Sequence, residues 1–180
     1  MDSNLQIISG KWRGKKLHLP PNARPTQNKA RIALFNMLGN ITPKIVWDAF
    51  AGSGGFGLEW LSRTPHTNVI FTDINTESIK TIQKNLSLLN ETNSQIIQTD
   101  AISAIPKFGS NTDLIFIDPP YTDVNLGVRF IKKIAPIAKT GVIIIWEIEK
   151  NFKIPALSEN LKIIKDKSYG RAKFLILTKI

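Results

Sequence analysis

The 180-residue chain contains no cysteine, which excludes a disulfide scaffold, a cysteine-ligated metal and thiol catalysis at once. Its only histidines are His18 and His66, so a histidine-based metal centre is not expected either, and no metal is assigned. Acids are scarce: 14 Asp and Glu stand against 24 Lys and Arg, a formal net charge of +10. Apolar runs are short, Val142 to Trp146 being among the longest, and none could cross a bilayer. The start, Met1-Asp2-Ser3-Asn4, has neither the basic end nor the apolar stretch of a signal peptide. A soluble, cytoplasmic monomer without membrane contact is the expectation.

What is present is a globular composition, 42% hydrophobic and 21% charged, at a length suited to one domain with a small appendage. The charge is unevenly spread. Residues 1–31 carry seven cations and one acid, residues 150–180 eight cations and two acids, while the stretch between them is slightly acidic. Two basic ends around an acidic middle suggest a polyanion held by the ends and different chemistry at the centre.

Leu5 to Leu19 alternates in strand fashion around Gly10 and Gly14 and predicts a small hairpin. Pro20-Pro21 breaks the chain, and Arg24-Pro25-Thr26 leads into a helix with apolar positions Ile32, Leu34, Phe35, Met37 and Leu38, ended by Gly39. Short apolar runs then recur at 45–50, 68–72, 95–99, 114–117 and 141–146. Helical stretches fall between them at 56–63, 76–89, 101–107 and 124–138. Buried strands separated by crossover helices mean a parallel α/β sheet. Two further strands, 161–167 and 173–180, flank Ser168-Tyr169-Gly170 and predict an antiparallel finish. The expected division is a basic extension over 1–26 and an α/β domain over 27–180.

The first strand runs into Ala51-Gly52-Ser53-Gly54-Gly55-Phe56-Gly57. Gly52, Gly54 and Gly57 have the G-x-G-x-x-G spacing, where glycine permits a tight turn and close approach of a ligand to the backbone. Asp73 follows Gly52 by 21 residues, at a strand end where a carboxylate accepts both ribose hydroxyls. Asp48, just before the loop, would repel a pyrophosphate but attract the ammonium of a methionine moiety. S-Adenosylmethionine, which has an ammonium, a sulfonium and no phosphate, therefore suits the loop better than a dinucleotide. Asp100 can accept from the adenine amino group, cap the helix that starts at Ala101, or both. Phe50 and Ala101, beside these strand ends, complete the expected cofactor set.

Asp118-Pro119-Pro120-Tyr121 follows the fourth strand directly. Proline holds the residue before it extended and has no N–H of its own. Carbonyls and the Asp118 carboxylate are left as acceptors, with Tyr121 as a flat face beside them. Acceptors plus an aromatic platform suit a planar base with an exocyclic amine. Asp118, Pro119 and Tyr121 are the expected catalytic residues.

Together these stretches resemble the RsmD family of bacterial 16S rRNA (guanine-N2)-methyltransferases. The likeness rests on Ile7-Ile8-Ser9-Gly10-Lys11-Trp12-Arg13-Gly14, Arg24-Pro25-Thr26, Leu34-Phe35-Asn36, the loop from Asp48 to Glu59, the Asp118 motif and Tyr169-Gly170. It implies a class I, Rossmann-like methyltransferase sheet, S-adenosylmethionine as donor, and methylation of a guanine 2-amino group in 16S rRNA of the small ribosomal subunit. The sequence departs from the family pattern at Asn28 and Ile32, where acids are usual, and at Arg171 after Gly170, where threonine is common. Lys11, Arg13, Lys15, Lys16, Arg24 and Arg31 are the expected RNA contacts. Two other readings share many of these residues: an adenine amino-methylating enzyme acting on DNA, and a non-catalytic RNA-binding assembly factor. A dehydrogenase is disfavoured by Asp48.

Overall fold

The computed structural model describes residues 5–21, 28–120 and 123–180. The elements run α1 (Asn28–Leu38), β1 (Ile45–Asp48), α2 (Gly55–Arg63), β2 (Asn68–Asp73), α3 (Thr76–Leu89), β3 (Ser94–Gln98), α4 (Ala101–Phe108), β4 (Leu114–Ile117), α5 (Val124–Ile137), β5 (Ile143–Glu149), β6 (Leu161–Tyr169) and β7 (Ala172–Lys179). They build one seven-stranded sheet in the order β3-β2-β1-β4-β5-β7-β6. Strands β1 to β5 pair in parallel, β7 joins β5 antiparallel, and β6 closes the edge antiparallel to β7. This is the predicted parallel sheet with an antiparallel finish. The order reverses between β1 and β4, which leaves a crevice at their carboxyl ends.

Local chemistry sets the helix starts at that end. Asn75 accepts from the Glu77 and Ser78 N–H groups ahead of α3, Asp100 from Ser103 N–H ahead of α4, and Asp123 from Asn125 N–H ahead of α5. Each side-chain oxygen satisfies donors the helix itself cannot. Helix α2 instead starts from Gly54 in the left-handed region, φ 78°. One hydrophobic layer, with Leu34, Phe35, Leu58, Trp60 and Phe71, lies between the sheet and α1–α3. The other, with Trp47, Ile105, Phe130, Ile134 and Trp146, lies under α4 and α5.

The predicted N-terminal hairpin is reduced to a single bridge, Gln6 with Lys16. Bonds from Ile7 N–H to Lys15 O and from Leu17 N–H to Leu5 O extend it. The segment is no loose appendage. Leu5, Ile7 and Leu17 are buried in the layer beside α2, and a Cβ on Gly10 would sit 1.9 Å from Ser62 O. Such contact with a helix adds the burial that a free two-stranded hairpin lacks. The expected boundary at 26/27 falls within residues 22–27, which lie outside the described set. No helix among the described residues is long and apolar enough to cross a membrane.

Candidate active site

The strand ends of β1, β2 and β4 converge on a cleft of about 610 Å³, within the range that holds a nucleoside-sized ligand. Asp48, Phe50, Gly52, Asp73, Asp100, Ala101 and Asp118, all expected from the sequence, line it. The glycine loop is held from below. Asp48 Oδ2 accepts from Gly57 N–H at 3.1 Å, and Asp73 Oδ2 accepts from Gly52 N–H at 2.8 Å. Asp73 Oδ1 accepts from Asn75 N–H, so this carboxylate ties the loop to the α3 cap and keeps lone pairs for a ligand. Gly52 sits at φ 54° with open space where a Cβ would be.

The other two glycines of the spacing serve the loop and not the cleft wall. Gly57 packs α2 onto the sheet: a Cβ there would lie 2.3 Å from Phe71 Cε1 and 2.7 Å from Val69 Cγ1. Gly54 supplies the left-handed turn, its N–H bonded to Ala51 O at 2.7 Å. Asp100 caps α4 through Oδ1, which also accepts from Ser103 Oγ, while its residue still faces the cleft. Ile74, 71% exposed, adds an apolar flank next to Asp73.

Two of the carboxyls are electrostatically unusual. Burial pushes Asp48 up to about 7, opposed by the Gly57 N–H bond and reinforced by the nearby Asp118 and Asp73 charges. Desolvation also pushes Asp118 up to about 7. Low dielectric disfavours the charged form, and neighbouring acids add to that. Both therefore exchange protons near neutrality, where a group that must accept and release protons is useful. Pro119 is buried behind Asp118, and Pro120 is exposed and lines the cleft. Tyr121 and Arg24 lie outside the described residues.

The expected basic set divides. Arg13, Lys15 and Lys16 are exposed on the N-terminal segment. Lys11 is exposed but engaged, bonded to Glu91 at 2.9 Å and resting 4.0 Å over the Trp12 ring. Arg31 departs from the surface role expected of it: only 4% exposed, it bonds Glu59 Oε2 at 3.1 Å and Gln6 O at 3.2 Å. Helical spacing is the reason. Position 31 shares its face with Leu34, Phe35 and Leu38, all buried, so α1 turns Arg31 inward. Burial draws its guanidinium below the ordinary value while Glu59 opposes that.

The partner of that arginine is not evident from the sequence. Glu59, fully buried, accepts from Ile8 N–H, Ser9 N–H, Arg31 Nη2 and Arg63 Nε at 2.8, 3.0, 3.1 and 2.7 Å. A lone Glu in an apolar helix stretch was its only signal. This carboxylate fastens the N-terminal segment to α1 and α2, and so makes Leu5 and Leu19 part of the cleft wall. Glu147 on β5 is also buried at the cleft.

The strand order, the glycine loop after β1 and the acidic cleft define a class I methyltransferase fold. Two solved structures agree. The Escherichia coli protein yhhF, described as a candidate methyltransferase, superposes with a TM-score of 0.86 at 26% identity, over 97% of each chain. A candidate methylase of Haemophilus influenzae does so with a TM-score of 0.76 at 27% identity, over 98% of each. The profile of the family described as Conserved hypothetical protein 95 matches residues 5–178, and the chain belongs to that family, the RsmD family. Among its relatives, ribosomal RNA small subunit methyltransferase D of Escherichia coli is 37% identical over 123 residues, 65% of this chain. That match spans about three fifths of the relative's length, 60%. The Haemophilus influenzae protein of the same name is 31% identical over 175 residues, 92% of this chain and 89% of the relative.

Proposed function

We infer that the protein transfers a methyl group from S-adenosylmethionine to the exocyclic 2-amino group of a guanine in 16S rRNA of the small ribosomal subunit. The observation that carries this reading is the gathering of Asp48, Asp73 and Asp118 around one cleft beside the glycine loop. Acids at the strand ends suit a cationic ligand without phosphate. Asp73 would take the ribose hydroxyls on its remaining lone pairs, Ile74 would flank the adenine, and Asp100 would accept from the adenine amine. Asp48 would face the methionyl ammonium.

When bound, S-adenosylmethionine supplies an electrophilic methyl on a sulfonium. The protein's part is positioning and proton handling. Asp118, stiffened by Pro119, accepts an N–H of the aryl amine and turns the nitrogen lone pair toward the methyl carbon. The nitrogen held in this way would take the methyl from the sulfonium, whose sulfur would be left as a neutral thioether. The new amine is then acidic, and its proton passes to Asp118 or to water. A carboxyl that titrates at about 7 can both accept that proton and return it to solvent.

Recognition of the RNA falls to the basic ends. Arg13, Lys15 and Lys16 project from the N-terminal segment. On edge strand β6, Lys165 and Lys167 stand opposite Ile176 and Phe174, which belong to the same core layer as α1 and the N-terminal segment. Both basic clusters therefore lie toward one side of the sheet, a footprint suited to phosphates. The test is methyl transfer to small subunits from a strain lacking the gene, with nucleosides resolved by mass spectrometry. N2-methylguanosine is expected, and Asp118→Ala should abolish it while cofactor affinity persists. Methylation of DNA adenine instead would overturn the assignment, as would no transfer to either substrate.

A further inference from the structure

Among the described residues, six carboxylates line the cleft but only two cations, Arg31 and Arg129. Arg129 is an exposed side chain committed to Asp123 at 2.9 Å. Arg31 is thus the one buried positive charge in the wall among the described residues. The ligand proposed above has the complementary inventory: an ammonium, a sulfonium and a single anion, its α-carboxylate. In a cleft this acidic, that carboxylate is repelled unless one site offers it positive charge and N–H donors.

Arg31 is built for that. Its Nη2 is anchored by Glu59 and by Gln6 O, and Nη1 has only a long contact, 3.4 Å, to Asn28 Oδ1. Its Nε is buried with no hydrogen-bond partner, an unmet donor of the kind that native structures rarely keep without a reason. Arg63 shares Glu59 from the other side, so the three groups together carry one positive charge in excess. Anchoring on two sides also fixes the guanidinium before any ligand arrives, which lowers the cost of ordering it.

We propose that Arg31, held by Glu59, is the receptor for the α-carboxylate of the methionyl moiety. This rests on the cofactor reading above and reassigns a residue whose sequence position had suggested RNA. The competing account is purely architectural, with Arg31 serving only to clip the N-terminal segment to α1 and α2. The two differ in ligand selectivity. Decarboxylated S-adenosylmethionine keeps the adenosine, sulfonium and ammonium but lacks the group Arg31 would hold.

Calorimetry with both ligands on the wild-type chain, Arg31→Met and Arg31→Lys separates the accounts. The wild type should prefer the carboxylated ligand by about ten- to a hundredfold, the range of one charge-assisted contact. Arg31→Met, similar in length but uncharged, should bind both ligands alike, with affinity for the decarboxylated one near wild type. Arg31→Lys, which keeps the charge if the methionine variant fails to fold, should retain an intermediate preference. An unchanged preference in either variant overturns the proposal, and so does an equal loss for both ligands, which is the architectural signature. Failure of the wild type to bind either ligand would instead overturn the cofactor reading itself.

Discussion

Asp48 offers the sharpest test of how the site stores its electrostatics. In the unfolded chain it titrates near 3.8, and in the fold at about 7. The raised value means the native state binds the proton more tightly than the unfolded state does. Stability from this group is thus fully present below about 4, falls as pH rises, and levels off above about 7. Each pH unit in that window is worth about 1.4 kcal/mol, so the whole penalty is on the order of 4 kcal/mol at pH 8. Asp48→Asn removes it while leaving an oxygen for Gly57 N–H, the one bond Asp48 accepts at 3.1 Å. The variant should gain stability over wild type, by about 1–2 kcal/mol at pH 5 and about 2–3 kcal/mol more at pH 8. For a chain of this length each kcal/mol moves the melting temperature by roughly 2–4 °C. Thermal melts of the ligand-free protein at pH 5, 6.5 and 8 read the difference directly. A gain that is the same at all three values would refute the reasoning, because it would show that Asp48 is not an ionised, desolvated group in the native state. The same variant should bind S-adenosylmethionine more weakly at pH 8, since the neutral amide no longer attracts the ammonium.

Three other perturbations probe separate parts of the molecule. Gly57→Ala places a methyl 2.3 Å from Phe71 and 2.7 Å from Val69, and should destabilise by about 1–3 kcal/mol in denaturant titration. Glu59→Gln cannot accept from all four donors and leaves two arginines undercompensated. A loss of about 3–5 kcal/mol is expected, with faster hydrogen exchange at the Ile8 and Ser9 amides before any change in β4. Arg13, Lys15 and Lys16 changed together to Ala should leave cofactor binding intact and weaken binding to the small subunit. The slope of log K against log salt should become shallower by up to about three counterions; an unchanged slope would place recognition elsewhere.

The order of elements was legible in the chain because it depends on short-range chemistry. Strand runs such as Leu114 to Ile117 are buried on both faces and read as unbroken apolar stretches, whereas Asn75, Asp100 and Asp123 announce helix starts by capping them. Asp48, Asp73 and Asp118 were identifiable for the same reason: each ends or follows a strand, and parallel strands bring their carboxyl ends to one side. Nothing local distinguished Gly57 from Gly52, though one packs a helix on Phe71 and the other faces the cleft. That difference is set by what lies across the sheet. Arg31 shows the limit most clearly. Along the chain it is one more cation in a basic stretch, and composition assigns it to the surface. Only the packing of α1 on α2, with Glu59 waiting 28 residues on, turns it inward. A charge is buried when a partner and enough donors meet it in space, and that meeting is decided by tertiary structure, not by sequence neighbours.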